Sequence, residues 1–167
     1  MKKTLLALTV FISSVTAFAQ KSDVVDIAIS SADHTTLITA VKAADLVATL
    51  KSAGPFTVFA PTNTAFRKLP TGTLESLLKP ESKATLASIL TYHVVAGNLD
   101  AKAVVEAINK ANGKLVVTTV NGAKLVATLE GKNVVLTDAK GGKATVTATD
   151  LKGSNGVVHV IDAVLLP

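Results

Sequence analysis

The apolar positions of this chain change period partway along it. From residue 22 to 110 they recur at helical spacing, and from 114 to 166 they alternate or run together as they do in strands. Ser22 is placed to cap a first helix carrying Val24, Val25, Ile27 and Ala28. His34 to Ala43 predicts a second helix through Leu37, Ile38 and Val41. Ala44 to Leu50 predicts a third, ended by Gly54-Pro55. Phe56 to Ala60 reads as a short buried strand stopped by Pro61, after which Thr62 or Asn63 caps a turn holding Ala65 and Phe66. Leu74, Leu77 and Leu78 sit at helical spacing before Pro80. Ser82 caps a helix through Leu86, Ile89 and Leu90. Tyr92 to Val95 leaves it as a short strand closed by Gly97-Asn98, and Asp100 caps a last helix with Val104, Val105 and Ile108 on one face.

From Lys114 onward the pattern is a meander. Leu115–Val120 and Ala123–Leu129 flank Asn121-Gly122, a strong hairpin signal. Asn133–Thr137 and Ala144–Thr149 flank a Lys-Gly-Gly-Lys turn, and a final strand follows Asn155-Gly156. Its nearly unbroken apolar run suits a central strand buried on both faces. Helices first and strands later, with one early strand between helices, predict an α+β fold rather than alternating βαβ units. The aromatic residues Phe56, Phe59, Phe66 and Tyr92 are expected to cluster where the early strand meets the helices.

The first residues read differently. Met1-Lys2-Lys3 is basic, Thr4 to Thr16 is mostly apolar but too short to span a membrane, and Ala17-Phe18-Ala19 fits the small-x-small cleavage pattern. Residues 1–19 are therefore expected to be a secretory signal peptide, with 20–167 the mature single domain; the competing reading is a buried N-terminal helix. No other hydrophobic stretch reaches spanning length, so no transmembrane segment is expected after cleavage, and the compartment is expected to be periplasmic or extracellular. Loss of Lys2 and Lys3 leaves 15 of the 17 basic residues against 12 acidic ones, a net charge of +3. Arg67 is the one arginine and the lysines are scattered without interleaved aromatics, so nucleic-acid binding is not expected. Weak attraction to anionic polymers or membranes remains compatible with this charge.

Candidate chemistry is sparse. The absence of cysteine removes disulfides, thiolate metal sites and a thiol nucleophile. His34, His93 and His159 lack the spacing of a metal-binding helix, so no metal or cofactor is expected. His34 reads as an exposed helix-start residue and His159 as a buried, hydrogen-bonded one. His93 either hydrogen-bonds across the core or sits at a partner surface. Three residues separate His159 from Asp162, which on a regular strand points them to opposite faces and disfavours a dyad. Gly153-Ser-Asn-Gly156 lacks the spacing of a nucleophile elbow, and Lys140-Gly-Gly-Lys143 lacks that of a phosphate loop. An enzyme is not expected.

Three segments carry a resemblance. They are Thr57-Val58-Phe59-Ala60-Pro61-Thr62-Asn63 with Phe66, the pair Tyr92-His93 with Val94-Val95, and Asn155-Gly156 followed by the apolar run holding His159 and Asp162. In order and separation they resemble the two conserved blocks and the Tyr-His region of the fasciclin domain. The resemblance implies helices packed on a β-wedge formed mainly by the C-terminal strands. It also implies a non-enzymatic role in adhesion to a cell-surface, matrix or biofilm macromolecule. In animal members the Tyr-His region is linked to integrin binding, which here implies an interaction surface at Tyr92, His93, Val94 and Val95; the family's acidic integrin-directed tripeptide has no match. One domain bridges two surfaces only if it has two faces or forms a homo-oligomer. A second reading stays open, a periplasmic small-ligand carrier or stress-related protein with a pocket at the helix–sheet interface.

Overall fold

The computed structural model describes residues 22–167, so the expected signal peptide lies outside the described residues. Helix α1, Val24–Ser30, begins one residue later than the Ser22 cap implied. Asp23 is the cap, accepting from the Val25 and Asp26 amides at 2.9 Å, while the Asp26 carboxylate accepts from the Asp23 amide at 3.2 Å. Two reciprocal bonds satisfy more orphan donors than a serine hydroxyl would. A 3-10 turn at Ala32–His34 leads into α2, Thr35–Ala43. Helix α3 is shorter than its pattern, Val47–Lys51, because Asp45 adopts φ 60° and interrupts the run. Strand β1, Phe56–Pro61, includes the proline expected to stop it; the next amide, Thr62, bonds to the Ile161 carbonyl at 3.3 Å. Helices α4 (Asn63–Arg67), α5 (Thr73–Leu77) and α6 (Lys83–Tyr92) follow. Thr62 caps α4 through the Ala65 amide, whereas the Ser82 side chain makes no capping bond to α6. Tyr92 ends α6 rather than beginning a strand, and β2 is Val94–Ala96. Asp100 caps α7, Ala101–Lys110, with Val104 and Ile108 buried.

The meander follows the expected order: β3 Lys114–Thr118, β4 Lys124–Glu130, β5 Asn133–Thr137, β6 Lys143–Gly153 and β7 Gly156–Ile161. One seven-stranded sheet results, in the order β2-β1-β7-β6-β5-β4-β3. Every neighbouring pair is antiparallel except β1 and β7, which run parallel from Phe56 opposite Gly156 to Pro61 opposite Ile161. A bridge from Val95 to Thr119 and a 2.7 Å bond from the Val120 amide to the Val94 carbonyl bring β2 against the end of β3. The sheet therefore curls almost into a barrel.

Two cores share the β1–β7 wall. Inside the curl, Phe59, Tyr92, Leu125, Leu136 and Ile161 pack with Val104 and Ile108 of α7. Outside it, Ala60 and Val158 meet Val24, Val25, Leu37, Val41, Phe66, Leu86 and Leu90 from the helices. Alternate residues of one strand thus serve opposite cores, and all six β7 residues are buried. The aromatics consequently separate, Phe59 and Tyr92 entering one core and Phe66 the other. Their sequence proximity placed them together; β1 turns Phe59 into the curl, where Tyr92 at the end of α6 joins it, while α4 carries Phe66 into the outer core.

The backbones of β1 and β7 approach closely where β7 begins. A Cβ on Gly156 would run into the Phe56 carbonyl, whereas one on Gly131, at φ 66°, would meet open space. Gly156→Ala should cost about 3 kcal/mol or more of stability, through a backbone clash that no rotamer relieves. Gly131→Ala should cost about 1 kcal/mol, from its conformation alone. Paired urea melts check the difference, and equal losses would show that the approach at Gly156 is not limiting.

Candidate functional site

The residues that stand out in sequence are tied to the junctions between elements. Thr57 is fully buried; its hydroxyl donates to the Gly97 carbonyl at 2.7 Å and accepts from the Leu99 amide at 2.9 Å, folding the loop after β2 against β1. Val58 lines the outer core, Ala60 is buried within it, and Phe59 stacks on the His159 ring at 5.7 Å between centroids. Thr62 caps α4 after Pro61, and Phe66 anchors that helix in the outer core. Asn63 donates to the Ala32 carbonyl and accepts from the Thr36 amide, at 3.0 and 2.9 Å, joining α4 to the start of α2.

Asn155 does the same at the other end of the sheet. Its side-chain oxygen accepts from the Val24 amide at 3.0 Å. Its side-chain nitrogen donates to the Leu50 and Ser52 carbonyls at 2.8 and 3.0 Å, so α1 and α3 are both held to the entry of β7. Gly156 follows, where only a glycine admits the Phe56 carbonyl. His159 donates from Nε2 to the Leu99 carbonyl at 2.7 Å, while Nδ1 faces the Asp150 amide at 3.4 Å. Asp162 accepts from the Thr145 amide at 2.7 Å and lies 3.6 Å from the Lys68 ammonium. It makes no bond to His159, and the two serve separate joints.

Tyr92, His93, Val94 and Val95 are in the interior, at 0%, 2%, 3% and 3% exposure. The interaction surface expected at these four residues is corrected by their burial, since none of them presents a side chain to a partner. The Tyr92 hydroxyl donates to the Lys124 carbonyl at 2.9 Å and accepts from the Ala139 amide at 3.2 Å, with burial raising its pKa. His93 donates from Nδ1 to the Ile89 carbonyl at 2.8 Å, which leaves Nε2 to accept from the Leu165 amide at 3.0 Å. The ring thereby secures the C-terminal segment, whose Leu165 is fully buried. Burial pushes His93 down to about 4, against the opposing pulls of the Ile89 carbonyl and Asp138.

His34 is also corrected. It is 3% exposed rather than an open helix-start residue, because the 3-10 turn carries it under the helices. Nδ1 meets the Ser31 hydroxyl at 2.9 Å, and burial lowers its pKa against the raising effects of the Ala60 carbonyl and Asp33. Sequence reasoning missed Asp138, whose carboxylate accepts from the Lys140 and Gly142 amides and, at 3.0 Å, from the Leu166 amide. The signal was the aspartate opening the Lys-Gly-Gly-Lys turn, where a side chain commonly accepts from amides two or more residues on.

Among the described residues no three His, Asp or Glu side chains converge as metal ligands, and the three histidines lie at separate joints. Between α1, α2 and β1 the interior leaves a cavity of only about 30 Å³, lined by Val24, Val25, Ala28, Leu37, Val41 and Val58. A larger groove of about 480 Å³, bordered by Pro55, Asn98, Asp100, Lys152 and Asn155, opens where β1 and β7 begin. The large apolar side chains left exposed include Val116 and Val120, at 52% and 44%, on and just after β3.

The buried histidines set an acid response. His93 ordinarily titrates at 6.5 and does so at about 4 in the folded chain. Between those values the unfolded chain binds a proton that the folded chain refuses, so stability falls as pH drops through that window and levels below it. The His93 contribution is about 3 kcal/mol across the window, and His34 acts in the same direction. Urea midpoints measured between pH 4 and 7 should decline accordingly, with a shallower decline in His93→Gln. Equal slopes for the two proteins would remove His93 from this account.

Comparison with known proteins agrees with the fold. The fasciclin domain family profile matches residues 32–167. The chain is 48% identical over 144 residues to Protein sll1483 of Synechocystis sp., covering 86% of this chain and 73% of that protein. It is 40% identical over 123 residues to Immunogenic protein MPB70 of Mycobacterium bovis, covering 74% and 55%. A solved FAS1 domain pair from the insect cell adhesion molecule fasciclin I superposes with a TM-score of 0.59 at 26% identity, over 78% of this chain and 45% of that one. With helices on a curled seven-stranded sheet and both sequence blocks at the β1–β7 junction, this chain belongs to the fasciclin domain family.

Proposed function

We propose that this chain is an exported, non-enzymatic adhesion module that docks on an anionic cell-surface, matrix or biofilm macromolecule through the outer face of β3 and β4. The observation that carries this reading is the exposure of Val116 on the edge strand β3 and of Val120 just beyond it. Alternation places Lys114, Val116 and Thr118 on one face of β3. The register sets them opposite Thr128, Val126 and Lys124. The result is a valine and threonine surface rimmed by exposed lysines, complementary to a negatively charged partner. The relation to a cell adhesion molecule supports the class of function. Export rests on the basic, apolar and Ala-x-Ala character of residues 1–19, and no helix among the described residues is long and apolar enough to cross a membrane.

This placement differs from the Tyr92–Val95 surface because a docking face needs accessible side chains. Adhesion between two surfaces also needs a second face or a second copy, and homo-oligomer formation would supply it. The small interior cavity gives the carrier reading no comparable support.

Residues 20–167 and the double variant Val116→Ser/Val120→Ser should have closely similar melting temperatures. The variant should be retained roughly tenfold or more weakly by the host's isolated surface and matrix fraction, because serine buries less apolar area against the partner. Retention should also fall as salt rises. Equal retention of both proteins, or none of either at low salt, would contradict the assignment of this face.

A further inference from the structure

We infer that Asn112-Gly113 is a site of spontaneous backbone modification, the one of this chain's three Asn-Gly steps built to convert to isoaspartate. The chemistry is intramolecular. The Gly113 amide nitrogen attacks Cγ of Asn112 and loses its proton, the Cγ–Nδ2 bond breaks, and that nitrogen leaves with the proton as ammonia. Water then opens the cyclic imide. Cleavage on the Cγ side yields aspartate, and cleavage on the main-chain carbonyl side yields isoaspartate, with the backbone rerouted through Cβ.

The ring closes only if the side-chain amide can swing onto the next nitrogen, and the three steps differ in that freedom. Asn155 has both side-chain atoms engaged, by the Val24 amide and by the Leu50 and Ser52 carbonyls, and Gly156 is buried. Asn121 accepts from the Thr119 hydroxyl at 2.6 Å and from the Ala123 amide at 3.0 Å, and donates to the Ser88 carbonyl at 3.1 Å. Asn112 is exposed, and among the described residues its side chain makes no hydrogen bond. It lies just past the end of α7 at φ 55°, followed by Gly113 at φ 85°, with no crowding on the glycine. One restraint remains, the 2.8 Å bond from the Gly113 amide to the Ile108 carbonyl, and it belongs to a frayable helix end.

The product changes the joint. A carboxylate appears at the C-terminal end of α7, the end that disfavours negative charge, between Lys110 and Lys114. Isoaspartate also adds a backbone atom between α7 and β3, so the Gly113-to-Ile108 bond loses its geometry. The change would loosen the last turn of the helix whose Val104 and Ile108 enter the core inside the curl.

The test is ageing of folded residues 20–167 at mildly alkaline pH and 37 °C, with peptide mapping by electron-transfer fragmentation to separate aspartate from isoaspartate. Conversion at Asn112 should exceed that at Asn121 or Asn155 by roughly tenfold or more, a factor supplied by even one net hydrogen bond that must first be broken. Asn112→Gln should abolish the early acidic species on ion exchange while leaving the fold intact. Unfolding both proteins in urea should bring Asn121 and Asn155 up to comparable rates. Earlier or equal conversion at Asn121 or Asn155 in the folded protein, or an unmodified Asn112 after the urea control has reacted, would overturn the inference.

Discussion

Parallel pairing of β1 with β7 is the constraint on which the rest of this molecule depends. It joins residues 56–61 to residues 156–161, 100 positions further along the chain, through a backbone ladder that a hairpin cannot supply. Because the pair is central in the sheet, both of its faces are covered, one by the helical layer and the other by the interior of the curl. Neither core is complete until this pairing forms. That explains why β7 is apolar without alternation and why a glycine begins it.

Covering a strand pair on both sides creates a second requirement. The loops and helix ends around it carry backbone groups that are shielded from water and need partners. Side chains meet this need at each joint: Thr57 for the loop after β2, Asn63 for the start of α2, Asn155 for α1 and α3, His159 for Leu99, His93 and Asp138 for the C-terminal segment. Each such bond contributes about 1 kcal/mol net, but removing a side chain costs more where its partners are buried, as the Ile89 carbonyl and Leu165 amide are at His93. The conspicuous motif residues are therefore polar fasteners around the β1–β7 pair. Their polar groups are committed to these joints, whereas on the exposed β3 face a partner can still reach the side chains.

Much of this was legible from residue order. The change from helical to strand period at Lys114, the Asn121-Gly122 hairpin, the Asp100 cap and the buried state of His159 all rest on local chemistry, and local chemistry decided them. The misses share one cause. His34 looks exposed when only α2 is considered, yet the 3-10 turn before it carries the ring inward. Phe66 looks like a neighbour of Phe59 until β1 turns Phe59 into the curl and α4 carries Phe66 into the outer core. Tyr92 to Val95 carries the family's Tyr-His region, but α6 and β2 turn all four side chains inward. Burial of this kind comes from the helices and the curled sheet packing together, and no window of sequence contains it.

The most direct measurement is residue-resolved native-state hydrogen exchange under increasing denaturant. If the β1–β7 pair holds both cores, the amides of Val158, His159 and Val160 will exchange only through global unfolding. Those of the edge strand β3 will exchange earlier, through local opening of lower free energy. Exchange of the β7 amides by local opening, at or below the free energy of β3, would contradict the account.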